Sequence, residues 1–239
     1  MTAIAKELAP KGHLRVALNH GNKVLVQTDD DGHPSGIAVT LARAFAEHMG
    51  LELELISFEG AGQVSSAAQD DVWDVCFLAV DPDRRATIAF TEPYVQIEGA
   101  YLAGPHCAVA DAPALIASGG KVGAVHGTAY ALTLSRKPGA ENLVYFDDNT
   151  AALAALDRGE VDAVAHIRQV VEAEGSTRPG SRVLEPAFME IRQAMAVPQG
   201  RPAAAQALQD FLTDRLTSGF VGDTLERFGV SRGSAILPG

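Results

Sequence analysis

The chain has 239 residues, of which 47% are hydrophobic and 21% are charged, a composition typical of a soluble globular protein rather than a disordered one. Its 30 acidic residues outnumber its 19 basic residues, and the resulting net charge of -11 would repel nucleic-acid phosphates and anionic lipid. The sequence has no uninterrupted apolar run of the roughly 18 residues that a membrane-spanning helix needs. We therefore expect neither nucleic acid nor a membrane as a partner.

The cysteines and the N-terminus bear on the cellular compartment. Cys76 lies in an apolar run and Cys107 in a connecting segment, so the two do not indicate a disulfide scaffold. The N-terminal sequence MTAIAKELAPKGH lacks a charged region followed by an apolar one, and it therefore predicts no secretory signal. A cytoplasmic protein and a periplasmic protein whose signal has been removed are both compatible with these residues.

The first half of the chain alternates between strand and helix signals, which differ in the spacing of their apolar residues. Before the first long helix, Asp29, Asp30 and Asp31 precede Gly32, which predicts a solvated hairpin loop, with a calcium site as the weaker alternative. The predicted strands of this half are residues 14–18, 51–58 and 75–80, and the predicted helices are residues 37–49 and 63–69.

The third of these strands carries the most informative stretch. Its almost continuous apolar run over residues 75–80 predicts a strand covered on both faces. Asp81 and Pro82 then favour a helical turn that carries Arg84, and a short strand over residues 88–90 follows. Arg84 is therefore predicted to lie where a parallel strand ends, which is where open α/β sheets bind ligands.

The second half repeats the order strand, helix, strand, helix, strand, and two such βαβ units predict two α/β lobes rather than one extended sheet. We expect residues 1–103 and 194–239 to form lobe 1 and residues 108–190 to form lobe 2, with a hinge near residues 101–108 and 190–194. The remaining predictions are strands at 121–125, 143–146 and 161–165, an apolar run at 194–197 and helices at 129–135, 150–158, 203–216 and 221–228. An irregular connector is expected over 101–113, and the alanine-rich segment 103–120 that overlaps it is interpreted only as a connector.

Because the strand ends of both lobes should face one cleft, the residues after them are candidates for ligand binding. Arg84 offers a planar fork that holds a carboxylate through two hydrogen bonds. Gly127 and Thr128 open a helix whose N–H groups attract an anion. The alternative for Arg84 is a surface arginine paired with Asp81 or Asp83, which the residues alone favour. For Gly127 and Thr128 the alternative is an ordinary helix start.

In this order and spacing, the segments resemble the solute-binding proteins of ABC importers, in particular the family that binds polar amino acids. The resemblance covers essentially the whole chain, from LRVALN at residues 14–19 to ERFGV at residues 226–230. Its most specific part is residues 74–94, where a strand, an acidic turn, Arg84 and the run FTEPY match the arginine and the FS-x-PY pattern of the family. Weaker matches lie at residues 36–42, 125–128 and 159–164.

The resemblance implies an α/β fold of the type II periplasmic binding protein kind, with two lobes and two hinge crossings, that closes on a small solute without catalysis and without a cofactor. It implies that Arg84 grips the ligand carboxylate with the help of Gly127 and Thr128, that Phe58 covers apolar ligand surface and that Asn19 adds a polar contact. A carboxylate or amino acid ligand, an ABC permease as partner, a monomer and a periplasmic location are expected. The full set of candidate ligand-binding residues is Arg84, Thr128, Gly127, Asn19, Phe58, Phe77, Ala79, Glu98, His126, His166 and Arg168.

Two departures from the family pattern affect the expected ligand. The family usually has a hydroxyl residue where this chain has Ala79, and its acidic residue for the ligand ammonium falls on Ile167. A buried ammonium without a partner costs several kcal/mol. Either the amine is met by Glu98, or the ligand has no amine.

Basic residues after the strands of lobe 2 leave further hypotheses open. His126, His166 and Arg168 would add positive charge or hydrogen-bond donors, which favours an organic acid, including one with a second acidic group. The alternative for both histidines is that they satisfy local backbone groups.

A histidine pair near a bound acid would also suit general acid–base chemistry, as in the dehydratases that this fold resembles, and a sensor module is a third hypothesis. We favour a binding protein, because the sequence carries no nucleophile motif, metal-ligand spacing or phosphate loop.

Overall fold

The computed structural model describes residues 3–238, which divide into two compact units. One unit comprises residues 3–96 and 192–238, and the other comprises residues 97–191. The predicted lobe boundaries and hinge positions stay predictions.

The strands are β1 (Leu14–Asn19), β2 (Gln27–Thr28), β3 (Pro34–Ser35), β4 (Leu53–Phe58), β5 (Val75–Ala79), β6 (Ile88–Phe90), β7 (Val95–Ala103), β8 (Val122–Val125), β9 (Leu143–Phe146), β10 (Ala163–Ile167) and β11 (Arg182–Pro198). The helices are α1 (Ala3–Leu8), α2 (Ile37–Met49), α3 (Ala61–Ser66), α4 (Ala112–Ala117), α5 (Ala129–Leu134), α6 (Asn149–Asp157), α7 (Arg168–Ser176), α8 (Pro202–Thr217) and α9 (Phe220–Arg227).

The sheet of the first unit has three parallel strands in the order β4-β1-β5. The last part of β11 pairs antiparallel with β5 on one side and with β6 on the other. Every residue of β1 is buried, because this strand lies inside the sheet and is covered on both faces. The predicted strands of this half and the long amphipathic helix, here α2, are confirmed.

The acidic turn of the first unit forms a hairpin, as predicted. β2 and β3 pair antiparallel, and Asp29 Oδ1 accepts hydrogen bonds from the backbone N–H groups of Asp31 at 3.1 Å and His33 at 2.8 Å. The carboxylate of Asp29 thus caps its own turn. Among residues 3–238, no group of three or more His, Cys, Asp or Glu side chains is placed to hold a metal ion, so the calcium alternative gains no support.

A buried ion-pair network joins β1 to the segment that precedes β5. Asp74 is 0% exposed and accepts hydrogen bonds from Arg15 through the backbone N at 3.1 Å, Nε at 2.9 Å and Nη2 at 2.9 Å. Arg201, just before α8, adds another bond to Asp74 through Nη1 at 2.7 Å. At the exposed end of the network, the side chains of Lys11 and Arg15 lower the pKa of Asp71 to about 2.

The sheet of the second unit has the order β7-β10-β8-β9. β10 is antiparallel to β7 and parallel to β8, and β9 is parallel to β8. A hydrophobic cluster lies between the sheet and α6, and it includes Leu102 of β7, Val164 of β10 and Leu156 of α6. The predicted strand-helix-strand-helix-strand order of this half is confirmed, with β10 displaced by two residues from its predicted range.

Two long strands correct the predicted connections. The irregular connector expected from residue 101 begins only after Ala103, because residues 99–103 of β7 pair with β10. Likewise, β11 starts at Arg182 rather than near residue 194. The residues in these strands that the sequence did not assign receive their structure from pairing with distant strands, which local patterns do not reveal.

Three helices, α1, α4 and α7, were absent from the sequence prediction. α4 lies within the segment interpreted only as a connector, and it begins where Asp111 Oδ1 accepts a hydrogen bond from the backbone N–H of Ala114 at 2.8 Å. These helices are six or nine residues long, which gives too few turns for a clear apolar period. Within residues 3–238, no helix has both the length and the apolar character that crossing a bilayer requires.

The Asp74 network yields a stability prediction. Asp74→Asn would remove the buried carboxylate from Arg15 and leave it only the half-exposed Asp71, so we expect the free energy of unfolding to fall by about 3–5 kcal/mol, as when one partner of a buried ion pair is removed. Urea denaturation measures the change. As a control, Lys11→Gln removes an exposed ion pair with Asp71 and should cost less than about 1 kcal/mol. Equal losses in the two variants would contradict the central role of Asp74.

Candidate functional site

The parallel strands of the first unit place three predicted site residues at one edge of the sheet. Asn19 and Phe58 are the last residues of β1 and β4 and are directly paired in register, and Ala79 ends β5 beside them. Asn19 is 8% exposed, and its Oδ1 accepts a hydrogen bond from the backbone N–H of Gly21 at 3.1 Å. The structure therefore brings Asn19, Phe58 and Ala79 together at the carboxyl edge of parallel strands.

The two phenylalanines of this set also belong to the core. Phe58 packs against the cluster that contains Val64 and Trp73. Phe77 is 2% exposed, and its ring meets Tyr94 edge-on with the centroids 6.4 Å apart. The apolar run around Phe77 is thus explained by burial, and Phe58, which is only partly buried, keeps more surface for a ligand.

Arg84 lies in the turn that follows β5. Asp81 Oδ1 accepts a hydrogen bond from the backbone N–H of Asp83 at 2.9 Å, and this turn leads into a short 3-10 helix that starts at Arg84. Arg84 is 4% exposed, so it does not lie at the surface as its alternative interpretation expects. Its Nη1 donates to the carbonyl oxygen of Ala79 at 2.9 Å, which fixes the guanidinium at the end of β5.

Burial determines the electrostatics of Arg84. Loss of solvent lowers the pKa of Arg84, and the negative charge of Asp81 acts in the opposite direction. Arg84 nevertheless stays protonated at neutral pH, because the ordinary pKa of a guanidinium lies far above 7. The end of β5 therefore carries a buried positive charge.

In the second unit, Gly127 and Thr128 form the junction between β8 and α5. Gly127 has φ of 69°, which an L side chain rarely adopts, so the turn requires glycine. Thr128 Oγ1 donates to the carbonyl oxygen of Val125 at 2.7 Å and accepts from the backbone N–H of Ala131 at 3.3 Å. The hydroxyl of Thr128 thus caps α5, as the alternative of an ordinary helix start expects, and any anion contact here falls to backbone N–H groups.

The two predicted histidines lie at the ends of neighbouring strands, since β8 and β10 are paired. His126 stacks on Tyr145, with the ring centroids 4.6 Å apart and the planes inclined by 13°. His166 is 4% exposed, its Nδ1 accepts a hydrogen bond from the backbone N–H of Ile167 at 2.8 Å, and burial lowers its pKa to about 4. His166 is therefore neutral at pH 7 and carries its hydrogen on Nε2, which corrects the expectation that it adds positive charge.

Arg168 and Glu98, which the sequence assigned to different ligand groups, contact each other. Arg168 Nε donates to Glu98, and its Nη1 and Nη2 donate to the two carboxylate oxygens of Glu185 at 2.6 Å and 2.9 Å. These bonds raise the pKa of Arg168, with the bond to Glu185 as the largest cause. The predicted use of Arg168 for a ligand anion, or of Glu98 for a ligand amine, would require this ion-pair network to open.

Sequence reasoning missed two residues beside the candidate set. Tyr130 is 4% exposed, and its ring lies against His166 with the centroids 5.1 Å apart. Burial raises the pKa of Tyr130, while a hydrogen bond with Thr128 acts in the opposite direction. Its position two residues into the helix after Thr128 was a usable signal. Glu185, by contrast, gave no signal, because its partner Arg168 is 17 residues away.

Comparisons with known proteins bear on the family and the fold of the chain. The model of the bacterial extracellular solute-binding proteins, family 3, matches residues 14–230. No match is found among curated proteins. A mutant of ArgBP from T. maritima is similar in structure, with a TM-score of 0.79 and 22% identity over 95% of this chain and 99% of that chain. The solute receptor for L-cysteine of Neisseria gonorrhoeae has a TM-score of 0.80 and 19% identity over 96% of this chain and 94% of that chain.

A third similar structure is the ancestral amino acid-binding protein AncCDT-1, a precursor of cyclohexadienyl dehydratase. It has a TM-score of 0.77 and 20% identity over 93% of this chain and 97% of that chain. At these identities the likeness concerns the fold. Together with the family match, it confirms the predicted α/β fold of the type II periplasmic binding proteins.

The buried His166 predicts a pH-dependent stability. Its folded pKa of about 4 lies below the ordinary 6.5, so the unfolded chain takes up the proton first as the pH falls. The stability from a neutral His166 is thus present above the ordinary value and is lost as the pH falls toward the folded one. We expect the wild type to lose about 2 kcal/mol more than His166→Gln between about pH 7 and pH 5 in urea unfolding. His33→Gln is the control, because the side chain of His33 is 75% exposed. It should keep the wild-type pH dependence, and an unchanged slope in His166→Gln would contradict the assignment.

Proposed function

Because the chain belongs to the bacterial extracellular solute-binding proteins, family 3, we propose that it captures a small carboxylate-bearing solute, an amino acid or an organic acid, for import by an ABC-type transporter. In this proposal the protein binds its solute reversibly and leaves it chemically unchanged. Delivery to a permease and a periplasmic location are parts of the same proposal. The position of the solute in an interlobe cleft stays a prediction.

The environment of Arg84 carries this proposal. Burial lowers the pKa of Arg84, whereas the carboxylates bonded to Arg15 and Arg168 raise the pKa of those two side chains. The positive charge of Arg84 is thus buried beside the end of β5, where loss of solvent is the largest influence on its pKa. A solute carboxylate beside Arg84 would offset the loss of solvent through charge-assisted hydrogen bonds, each of about 1.5–3 kcal/mol.

Residues at the carboxyl edges of the sheets support contacts with the rest of a small solute. In the first unit, Asn19 and Phe58 offer a polar and an apolar surface at the edge where Arg84 lies. In the second unit, the neutral His166 carries a hydrogen-bond donor at the end of β10, next to the strand β8 that the turn at Gly127 follows. Small-molecule sites typically combine a small number of polar groups with a mostly apolar lining.

A dehydratase-like enzyme is the alternative that the histidine pair suggests. A general base needs a lone pair directed at the substrate. His166 Nδ1 already accepts the backbone N–H of Ile167, so Nε2 holds the hydrogen and is a donor rather than a base. The ring of His126 stacks on the ring of Tyr145. The hydrogen bond of His166 thus argues against a mechanism in which both histidines act as bases.

Replacing Arg84 tests the carboxylate grip. Arg84→Lys keeps the positive charge beside Asp81 but loses the planar fork, so we expect solute affinity to fall about 10- to 100-fold. Isothermal calorimetry and thermal shift with a panel of amino acids and organic acids measure the change. Arg85→Lys is the matched control, because the guanidinium of Arg85 lies over the Phe90 ring, 5.9 Å from its centroid, and has no part in the proposed binding of the solute. If Arg84→Lys binds as tightly as Arg85→Lys, the carboxylate grip is not at Arg84.

The surroundings of Ile167 bear on the solute amine. Ile167 is 4% exposed and has no charge to offer an ammonium, and Glu98 is bonded to Arg168. Glu98, the one residue that the sequence offers for the amine, is thus available only if its bond to Arg168 opens. The proposal therefore favours a carboxylic acid that lacks an α-ammonium group.

Matched ligand pairs test this preference. We compare L-glutamate with 2-oxoglutarate and L-alanine with lactate by calorimetry. The amine-free member of a bound pair should bind at least about tenfold more tightly, because an unpaired ammonium loses its hydration without compensation. A tighter amino acid, weakened selectively by Glu98→Gln, would show that Glu98 receives the amine after all.

A further inference from the structure

Arg168 occupies a junction in the second unit. It is the first residue of α7 and directly follows the end of β10, where His166 and Ile167 lie. The register of β10 on β7 pairs Ile167 with Gly99, which brings Arg168 beside Glu98. The guanidinium donates to Glu98 of β7 and, with both terminal nitrogens, to Glu185 of β11. One side chain thus ties the end of β10 to the two strands that continue into the other unit.

Within this unit, β7 and β11 are already packed closely. A Cβ atom at Gly99 would lie 2.8 Å from Met189 Cγ and 3.0 Å from Phe188 Cζ, so the two strands meet where β7 has no side chain. The rings of Tyr101 and Phe188 stack with their centroids 4.4 Å apart. The ion pairs of Arg168 therefore connect the end of β10 to β7 and β11, two strands that already pack against each other.

The guanidinium of Arg168 forms ion pairs with carboxylates of the protein itself. Besides Glu98 and Glu185, Glu172 lies 3.6 Å away one helical turn further on. A positive charge at the first residue of a helix is unfavourable for the helix dipole, so the position does not serve α7 itself. The bidentate pair with Glu185 has the geometry in which an ion pair fixes an orientation.

We infer that Arg168 is a positioning residue for solute binding. It holds the end of β10, with His166 and the start of α7, against β7 and β11. The free protein is thereby ordered in advance, and the solute does not have to order this segment on binding. For its effect on solute affinity this inference rests on the proposed function, but its effect on local order does not.

Amide hydrogen exchange in the solute-free protein tests the local effect. In Arg168→Gln, residues 97–103, 163–171 and 182–189 should exchange about fivefold faster than in the wild type. Arg178→Gln is the matched control. Arg178 is 22% exposed against 20% for Arg168, and it pairs with Asp157 at 3.0 Å and with Glu174, neither of which lies in β7 or β11. Equal exchange of these segments in the two variants would overturn the inference.

Calorimetry with L-glutamate, 2-oxoglutarate, L-alanine and lactate tests the effect on binding. Arg168→Gln should weaken the compounds that the wild type binds about three- to tenfold, with a less favourable binding entropy, and Arg178→Gln should not. Glu185→Gln should act in the same direction, and combining it with Arg168→Gln should add little. If Arg168→Gln binds these compounds as tightly as the wild type, the inference about Arg168 is overturned, while the proposed function stands. If the wild type binds no carboxylate, the proposed function fails, and the exchange result still decides whether Arg168 positions β10.

Discussion

The compensation of buried and half-buried arginine charges is the constraint on which the structure depends most. A guanidinium cannot lose its charge at neutral pH, so each one removed from water needs acceptors nearby. Arg15 has the fully buried Asp74, and Arg168 has Glu98 and Glu185. Arg84 bonds to the carbonyl oxygen of Ala79 and is influenced by Asp81, yet burial still lowers its pKa.

These three environments correspond to three roles. The charge of Arg15 is fully matched inside the first unit, where it joins β1 to the start of β5 and stabilises the fold. The charge of Arg168 is matched by carboxylates on two strands, and this suits a residue that holds segments in place. The buried position of Arg84 at the end of β5 suits a residue that receives an anionic group from outside the protein, as the proposed carboxylate solute would supply.

The fold places these residues because parallel strands end at a common edge. β1, β4 and β5 share such an edge in the first unit, and β8, β9 and β10 share one in the second. Polar residues lie at the last positions of the strands or in the short turns after them, since Asn19 ends β1 and Arg84 lies in the turn that follows β5. Gly127 illustrates the local requirement, since its positive φ lets β8 turn directly into α5.

The sequence by itself determined the α/β class, most strand positions and the place of Arg84 after β5, because apolar runs and capping residues are local signals. It also indicated correctly that Asp29 and its neighbours form a hairpin turn. Only the tertiary structure decided the state of each candidate side chain. The burial of Arg84 and of His166 depends on elements far away in the chain, and so does the pairing of Arg168 with Glu98 across 70 residues. The full lengths of β7 and β11 were likewise set by partner strands, because a strand whose own residues give a weak pattern is fixed by the strands that it pairs with.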